Sequence, residues 1–515
     1  MKKMNGLSIV IVILFLTGCN SLPDKGYSKT PSSAFKGYKS TSIGKMVERE
    51  AVKHPGKSGF EIIRYGREAF TSRVAMTEMA EKTLDMQYYL WEQDATGRLL
   101  AASLLKAADR GVKVRLLLDD IGLGGRDDMI ASLGVHPNIE IRIFNPFSNR
   151  GMHAFDFLSD FDRVNHRMHN KMAIMDNALA IVGGRNIGDH YFGVSKDGNF
   201  RDLDIVAAGP IVREISTVYD YFWNGRWSVP IKSLTSQSYS SKDMKAARDL
   251  LSQRISQDDY PYPLSKDSKK MSREIKTLLS HFIWANGKIV WDDPKQMKLS
   301  KEKQKDTMVQ KLVKRANSVK KSFFVESPYF IPGDGGTAAL VALSKRGVNV
   351  RILTNSLSSN DVIPAHAGYD TYRKTLVQNG IGMYELRSDV GQSKVINKTP
   401  SNGTKKSGLH AKTFVFDEKD VFIGSLNLDP RSGSINTEGG LYVESPELAK
   451  RVTSFMNEGI KLENSYYLRT DKNGDLIWIT KTKGKKEIYD SDPKAGIWDH
   501  FQVELIQALP IESQL

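Results

Sequence analysis

From Thr83 onward the hydrophobic pattern switches between two periods. Leu84-Asp85-Met86-Gln87-Tyr88-Tyr89-Leu90 reads as a strand, Gly97 to Arg110 as a helix, and Val112-Lys113-Val114-Arg115-Leu116-Leu117-Leu118 as a buried strand. Together they predict a βαβ unit. The pattern returns later: Arg110-Gly111-Val112-Lys113-Val114-Arg115 is echoed by Arg346-Gly347-Val348-Asn349-Val350-Arg351, again after a helix and a preceding strand, Ser322 to Glu326, at an offset of 236. His169-Asn170-Lys171 through Asp176 to Asn186 is echoed by His410-Ala411-Lys412 through Asp417 to Asn427 at an offset of 241. Arg201-Asp202 with Pro210 is echoed by Thr437-Glu438 with Pro446, again at 236. Three landmarks in one order, with only short insertions or deletions between them, imply an internally duplicated α/β protein.

The N-terminus follows a different logic. Lys2 and Lys3 precede an apolar run, Leu7 to Leu16, broken only by Ser8 and followed by Thr17-Gly18-Cys19, which is a signal-peptide layout. Its apolar core of about ten residues is short beside the ~20 that a membrane-spanning helix needs. The Leu16-Thr17-Gly18-Cys19 ending resembles the lipobox of bacterial lipoproteins, which implies a lipidated Cys19 as the mature first residue. Cys19 is the only cysteine, so no intramolecular disulfide is expected. The expected location is the cell envelope, lipid-anchored and facing the periplasm, with Asn20 tilting the expectation towards the outer membrane.

From Asn20 to about Ser42 the chain is rich in Ser, Pro, Lys and Gly without an apolar period, as expected of a tether. Ser233 to about Lys320 is polar and lysine-rich apart from an apolar stretch near Leu278 to Val290, and reads as a linker with a helix or two. The expected organisation is a signal peptide (1–18), a lipidated tether (19–45), a first domain (46–235), an interdomain linker (236–318) and a second domain with a C-terminal extension (319–515). Hydrophobic residues at 40% and charged residues at 26% exclude a disordered chain. A formal charge of +15 favours a phosphate-rich partner without choosing between lipid surfaces and nucleic acids.

Each copy of the central motif is His-x-Lys, four residues, then Asp, then a β-rich stretch ending in a small-residue turn and Asn: Gly183-Gly184-Arg185-Asn186 and Gly424-Ser425-Leu426-Asn427. In an extended strand positions two apart face the same way, so His169 with Lys171, and His410 with Lys412, project into one space. Asp176 and Asp417 fall at the start of the following hairpin turn, where structural and catalytic roles are both open. Phosphodiester cleavage needs a nucleophile, an acid for the leaving alkoxide and positive charge on the non-bridging oxygens. One neutral imidazole would attack phosphorus and form a phosphohistidine, while the second, protonated, donates to the departing oxygen and later deprotonates the acceptor. Lys171, Lys412, Asn186 and Asn427 would hold the phosphoryl oxygens, and the lysines would lower the histidine pKa values by like-charge repulsion. Asp202 and Glu438 stand at matched positions to orient an imidazole through its other ring nitrogen. The scheme requires no metal and no cofactor.

These motifs resemble those of the phospholipase D superfamily, over most of the chain from about Phe60 to the C-terminus. The resemblance is closest to bacterial cardiolipin synthases of the C type, through Leu84 to Tyr89, Phe144-Asn145-Pro146-Phe147, Arg167 to Lys171, Val182 to Asp189, Leu353-Thr354-Asn355-Ser356-Leu357 and Leu428-Asp429-Pro430-Arg431-Ser432. It implies two duplicated α/β domains, mixed sheets flanked by helices, packed as a pseudo-twofold pair with one shared active site. It also implies transfer of a phosphatidyl group onto phosphatidylglycerol, with phosphatidylethanolamine as the donor associated with the C type, in a membrane-associated enzyme; a monomer is expected. The lipobox leader is not part of the resemblance. Water in place of the acceptor alcohol would make the same site a phospholipase D or an endonuclease, so the acceptor stays open. The lipid anchor speaks against nucleic acid, and intact residues in both motifs speak against a non-catalytic lipoprotein.

Flanking residues carry weaker expectations. Phe155, Phe157 and Phe161 are expected in the core rather than in an acyl-chain groove, as are Tyr88, Tyr89 and Trp91. The loop Ser327 to Pro332 could border the substrate entrance, and Gly333-Asp334-Gly335-Gly336 lacks the lysine and serine of a P-loop. His366, Tyr372 and Arg373 fit surface or packing roles better than head-group contact.

Overall fold

A computed structural model of the chain describes residues 28–261, 268–390, 395–396, 406–509 and 512–514. The signal segment and Cys19 lie outside the described residues. In the first half the strands are β1 (Ser58–Ile63), β2 (Thr83–Tyr88), β3 (Lys113–Asp119), β4 (Ile139–Phe144), β5 (Met172–Met175), β6 (Leu179–Gly183), β7 (Gly198–Arg201), β8 (Asp204–Ala208) and β9 (Ser228–Pro230). The rest of the chain supplies β10 (Ile283–Trp291), β11 (Ser322–Glu326), β12 (Asn349–Asn355), β13 (Gly382–Leu386), β14 (Lys406–Leu409), β15 (Thr413–Phe416), β16 (Asp420–Gly424), β17 (Gly439–Glu444), β18 (Ser465–Thr470), β19 (Leu476–Thr482) and β20 (Lys485–Tyr489).

The duplication is explicit in the pairing. In the first half β4, β3 and β2 are parallel, and β5, β6, β8 and β1 follow antiparallel; in the second, β13, β12 and β11 are parallel, and β15, β16, β17 and β10 follow. Strands β5, β6 and β8 are buried throughout because helices Gly66–Met79 and Ala95–Asp109 cover one face of the sheet and Pro210–Asn224 the other. Covering both faces explains continuous apolar runs where one-sided strands would alternate. Pro210 and Pro446 each open a helix at a position whose N–H would have no intrahelical acceptor. One hydrophobic core crosses between the halves, joining Ile174, Val182 and Ile205 to Val415, Ile423 and Leu441.

Two segments depart from expectation. The interdomain linker of 236–318 contains β10, whose first residues, Ile283 to Ala285, pair with β1 and whose remainder, Asn286 to Trp291, pairs with β17. The two half-sheets are thereby one 18-stranded sheet among the described residues. Only part of β10 is buried, so its sequence, Ile-Trp-Ala-Asn-Gly-Lys-Ile-Val-Trp, lacks a clean apolar run. Helix Met308–Asn317 also falls in the expected linker, yet it occupies the place that Gly66–Met79 holds in the first half. The tether expectation fails for residues 28–41. Ala34 N–H donates to Asp220 (2.8 Å), Ser32 N–H to Asn224 (3.1 Å) and Arg142 to the Thr30 carbonyl (2.7 Å), so polar side chains of the first domain hold this segment without any apolar period. Folded structure then continues with helix Ser42–Ala51, capped by Thr41.

Asp176 and Asp417 prove to be turn residues, which corrects their assignment as catalytic. Both adopt the left-handed backbone conformation, φ 52° and 53°, that short polar side chains tolerate. The Asp176 carboxylate accepts from the backbone N–H groups of Glu81 (3.0 Å), Lys82 (2.8 Å) and Thr83 (2.8 Å), and Asp417 accepts from Lys320 (3.0 Å), Lys321 (2.7 Å) and Ser322 (3.3 Å). Each therefore pins a hairpin turn to the start of the neighbouring parallel strand. At a strand rise of ~3.3 Å per residue, each carboxylate lies ~16 Å along the chain from the lysine of its motif. Replacing either aspartate by Ala leaves backbone donors unmet and is expected to lower unfolding free energy by ~1–3 kcal/mol, more for the fully buried Asp176 than for Asp417. Urea unfolding followed by tryptophan fluorescence measures this as a lower midpoint.

Candidate active site

His169 and Lys171 immediately precede β5, and His410 and Lys412 lie between β14 and β15. Neither motif begins inside the main sheet; each is bound to a segment of the opposite half. His169 N–H donates to the Thr437 carbonyl (2.9 Å), and Thr437 N–H returns a bond to the Arg167 carbonyl (2.9 Å). In the other half β14 runs parallel to β7, and His410 N–H donates to the Arg201 carbonyl (2.7 Å). The residues after Thr437 and Arg201 are Glu438 and Asp202, so this backbone pairing delivers each carboxylate to the histidine of the other half. His410 Nδ1 lies 2.6 Å from Asp202 Oδ2, and His169 Nδ1 lies 2.9 Å and 3.0 Å from the two Glu438 oxygens. An Nδ1–H donated to a carboxylate fixes the tautomer in which Nε2 carries the lone pair.

The two halves also place matched anchors beneath the histidines. Asp119, at the end of β3, accepts from Met168 N–H (2.7 Å) and from Arg167 (3.1 Å). Asn355, 236 positions later at the end of β12, accepts from Leu409 N–H (2.7 Å). Sequence reading missed this pair, although its spacing equals the repeat offset and both residues end a parallel strand, where α/β proteins build sites.

The lysines complete a buried cluster of charge. Lys171 Nζ donates to the His169 carbonyl (2.5 Å) and Lys412 Nζ to the His410 carbonyl (2.7 Å). Burial lowers the Lys412 pKa to about 8 and takes Lys171 well below its ordinary value. Burial also lowers both histidines, reinforced by both lysines: His410 falls to about 4 and His169 well below its usual range. That each imidazole feels both ammonium groups places the two motifs in one site. Burial would raise Asp202, but His410, Arg185 and Lys412 outweigh it and hold the carboxyl at about 2. Glu438 is pushed by burial to about 7 against the pull of Lys171. The two pairs therefore differ: Asp202 stays ionised, while Glu438 is balanced near neutrality.

Two matched positions accompany that difference: Arg185, which helps hold Asp202 ionised, is matched by Leu426, and Gly184 by Ser425. Ser425 donates its hydroxyl to Glu438 and accepts from Gly439 N–H (3.0 Å). The matching residue is Gly184, where a Cβ would lie 2.5 Å from Asp202 Oδ1. The shorter aspartate sits close over its glycine, whereas the longer glutamate has a hydroxyl beneath it.

The asparagines are not equivalent. Asn186 accepts from Leu90 N–H (3.2 Å) and donates to the Tyr191 hydroxyl (3.0 Å), so protein partners fix the orientation of its amide. Asn427 Oδ1 is buried with no hydrogen-bond partner among the described residues. Tyr88 and Trp91 are core residues as expected, but Tyr89 stands edge-on to His169, ring centroids 4.9 Å apart, and Lys171 Nζ is 5.1 Å from its ring. Tyr191 and Phe200 flank His410 at 5.0 Å and 5.3 Å. The loop Ser327 to Pro332 does adjoin the second motif, through Leu428 N–H to Ser327 Oγ (3.0 Å) and Ile331 N–H to the Leu428 carbonyl (2.6 Å). His366 is buried away from the site beside Arg373, which pairs with Asp492 (2.7 Å), and Tyr372 donates to Glu512 (2.6 Å). Phe155, Phe157 and Phe161 are exposed, contrary to the core expectation; they sit on short helices with no layer over them.

Comparison with known proteins identifies the family. The family described as "Cardiolipin synthase, PLD-like domain" matches twice, at residues 74–223 and 312–459. The chain is 37% identical to Cardiolipin synthase C of Escherichia coli (strain K12) over 465 residues, 89% of this chain and 96% of that protein. It is 33% identical to an uncharacterized protein of Helicobacter pylori (strain J99) over 92% of this chain and 93% of that one. In fold it is similar to the crystal structure of phosphatidylserine synthase from Haemophilus influenzae Rd KW20, with a TM-score of 0.56, 13% identity, and coverage of 91% of this chain and 100% of that chain. The chain belongs to the cardiolipin synthase family of the phospholipase D superfamily, and is an enzyme of that superfamily.

Proposed function

We propose that the protein is a phosphatidyltransferase that moves a phosphatidyl group from a donor phospholipid onto the free hydroxyl of phosphatidylglycerol. The crossed pairs His169–Glu438 and His410–Asp202 carry this reading, because they present two imidazoles of defined tautomer beside two buried ammonium groups. Nε2 of one histidine attacks phosphorus, an N–P bond forms, and the P–O bond to the donor head group breaks. The other imidazolium gives its proton to the departing alkoxide. Now neutral, it takes the proton of the phosphatidylglycerol hydroxyl; that oxygen attacks phosphorus, the N–P bond breaks, and cardiolipin leaves. Lys171 and Lys412 offset the charge on the non-bridging oxygens, and the Asn427 amide N–H donates to them. With phosphatidylethanolamine as donor, the alcohol released is ethanolamine.

A lipid surface as the source of substrate is supported by two exposed apolar stripes. Helix Ile497–Gln507 exposes Ile497, Trp498, Phe501 and Leu505, at the spacing of one helical face, and the short helices before the first motif expose Phe155, Leu158 and Phe161. No helix among the described residues is long and apolar enough to cross a membrane. With Cys19 as a lipidation site, the reading extends to an enzyme anchored in the envelope and facing the periplasm.

Purified protein in mixed micelles of phosphatidylglycerol and phosphatidylethanolamine is expected to yield cardiolipin with ethanolamine or glycerol, read by mass spectrometry; phosphatidic acid as sole lipid product would overturn the transferase in favour of a hydrolase. His169→Ala and His410→Ala are each expected to reduce turnover by ~10²–10⁴-fold, and full activity in either variant contradicts the two-histidine scheme.

The pH profile follows from the free enzyme. The scheme needs one imidazole protonated and one neutral, and burial with the lysines lowers both, His410 to about 4, so kcat/KM is expected to be highest on the acid side of neutrality and to fall further through about 8, where Lys412 discharges. The same histidine affects stability. The folded His410 pKa of about 4 lies below the ordinary imidazole value of 6.5, so the unfolded chain takes up protons first, and stability is lost as pH falls from 6.5 towards about 4. Chemical denaturation at stepped pH tests that sign.

A further inference from the structure

The duplication makes one difference between the halves conspicuous. In the first half helices Gly66–Met79 and Ala95–Asp109 pack along each other over the sheet. Their counterparts in the second half, Met308–Asn317 and Gly333–Lys345, barely touch. The space between them is a cavity of about 930 Å³. Leu312 and Ala316 line one wall, Ala339 and Leu340 the other, and Phe323 and Phe414 of the sheet form the floor. Binding pockets for organic ligands span ~300–1,000 Å³, and this one is at the upper end. Of the charged residues that line it, Lys301 and Asp334 are exposed, Glu512 accepts from Tyr372 (2.6 Å) and Asp429 from Ser432 N–H (2.7 Å).

The cavity begins at the chemistry. Asn427 and Leu428, directly after the turn of the second motif, line it, and so does His166, three residues before His169. Asn427 bears the buried amide oxygen without a partner, so a polar group stands where the apolar walls begin. A ligand filling this space would have one end beside Asn427, next to the second motif, and a long apolar body between the two helices. A sugar-phosphate backbone would leave the walls unmatched, whereas an acyl chain matches them along their length. In the first half the matching helices, Gly66–Met79 and Ala95–Asp109, fill that space by packing on each other.

We propose that the cavity between helices Met308–Asn317 and Gly333–Lys345 is an acyl-chain pocket, which holds one fatty-acyl chain of a phospholipid while its phosphodiester lies between the two histidines. This rests on the phosphatidyl-transfer reading above and adds to it the means by which the chain of the lipid is selected. Ala339→Trp and Ala316→Trp narrow the pocket from opposite walls and leave every catalytic side chain in place.

The test compares the full-length protein and both variants on phosphatidylglycerol with phosphatidylethanolamine, once with dioleoyl and once with dihexanoyl chains. With dioleoyl lipids each variant is expected to lose about tenfold in kcat/KM, equivalent to roughly two buried methylenes, and with dihexanoyl lipids less than about twofold. Equal loss on both lipids, or no loss on either because something other than substrate fills the groove, overturns the pocket. Wild-type protein inactive on both lipids removes the transferase reading and the pocket with it, which separates that failure from a failure of the pocket alone. Should the variants not fold, wild-type protein decides the matter: phosphatidylglycerol bearing a diazirine at the chain terminus is expected to crosslink to peptides covering 308–317 or 333–345, and crosslinks confined to other segments refute the proposal.

Discussion

The constraint on which the structure turns is that each imidazole is oriented by a carboxylate from the other half. A histidine and its own motif lysine can be supplied by one βαβ-based domain, but Asp202 reaches only His410, and Glu438 only His169. Much of the architecture serves that exchange: the parallel pairing of β7 with β14, the bridge between Met168 and Thr437, and the core shared by Ile174, Ile205, Val415 and Leu441. Burying two lysines, two histidines and two carboxylates together is unfavourable unless the charges answer one another. Here they answer incompletely, and the remainder appears as ammonium and imidazole groups that hold their protons weakly.

The repeat was legible because it is written in local terms. Strand and helix periods recur at fixed offsets, and His169, Lys171, His410, Lys412, Asp202 and Glu438 are distinctive residue types at matched places. What sequence could not convey was which copy serves which. Matched positions say that Asp202 and Glu438 are equivalent, and equivalence is silent on whether a carboxylate faces its own histidine or the other. Other misses share a cause: roles set by backbone partners leave no residue pattern. Asp176 and Asp417 look like catalytic acids until their oxygens are found on the N–H groups of Thr83 and Lys321. Residues 28–41 look like a tether because the bonds that hold them come from Asp220, Asn224 and Arg142, far along the chain. Tyr89 looks like core because it follows Tyr88, and one step along a strand turns a side chain to the opposite face.

Duplication followed by divergence explains the unequal halves. Asp202 is held ionised by His410, Arg185 and Lys412, whereas burial lifts Glu438 to about 7, even though the Ser425 hydroxyl donates to it where Asp202 has only the glycine beneath it. Asn186 is committed to Leu90 and Tyr191, while Asn427 keeps a buried oxygen unmet. The helix pair is closed in one half and open in the other. A symmetric pair of motifs has thus become a site with a tightly packed side and an open one, as fits a reaction in which donor and acceptor differ.

Strand β10 has a further consequence. Its first residues are stitched to β1 and its last to β17, so the sheet runs unbroken from one half into the other. A hinge opening the halves like jaws would have to tear that ladder along with the crossed pairs. Traffic through the site therefore passes around a fixed frame: molecules slide in and out at its mouth, and the frame itself does not gape to admit or release them.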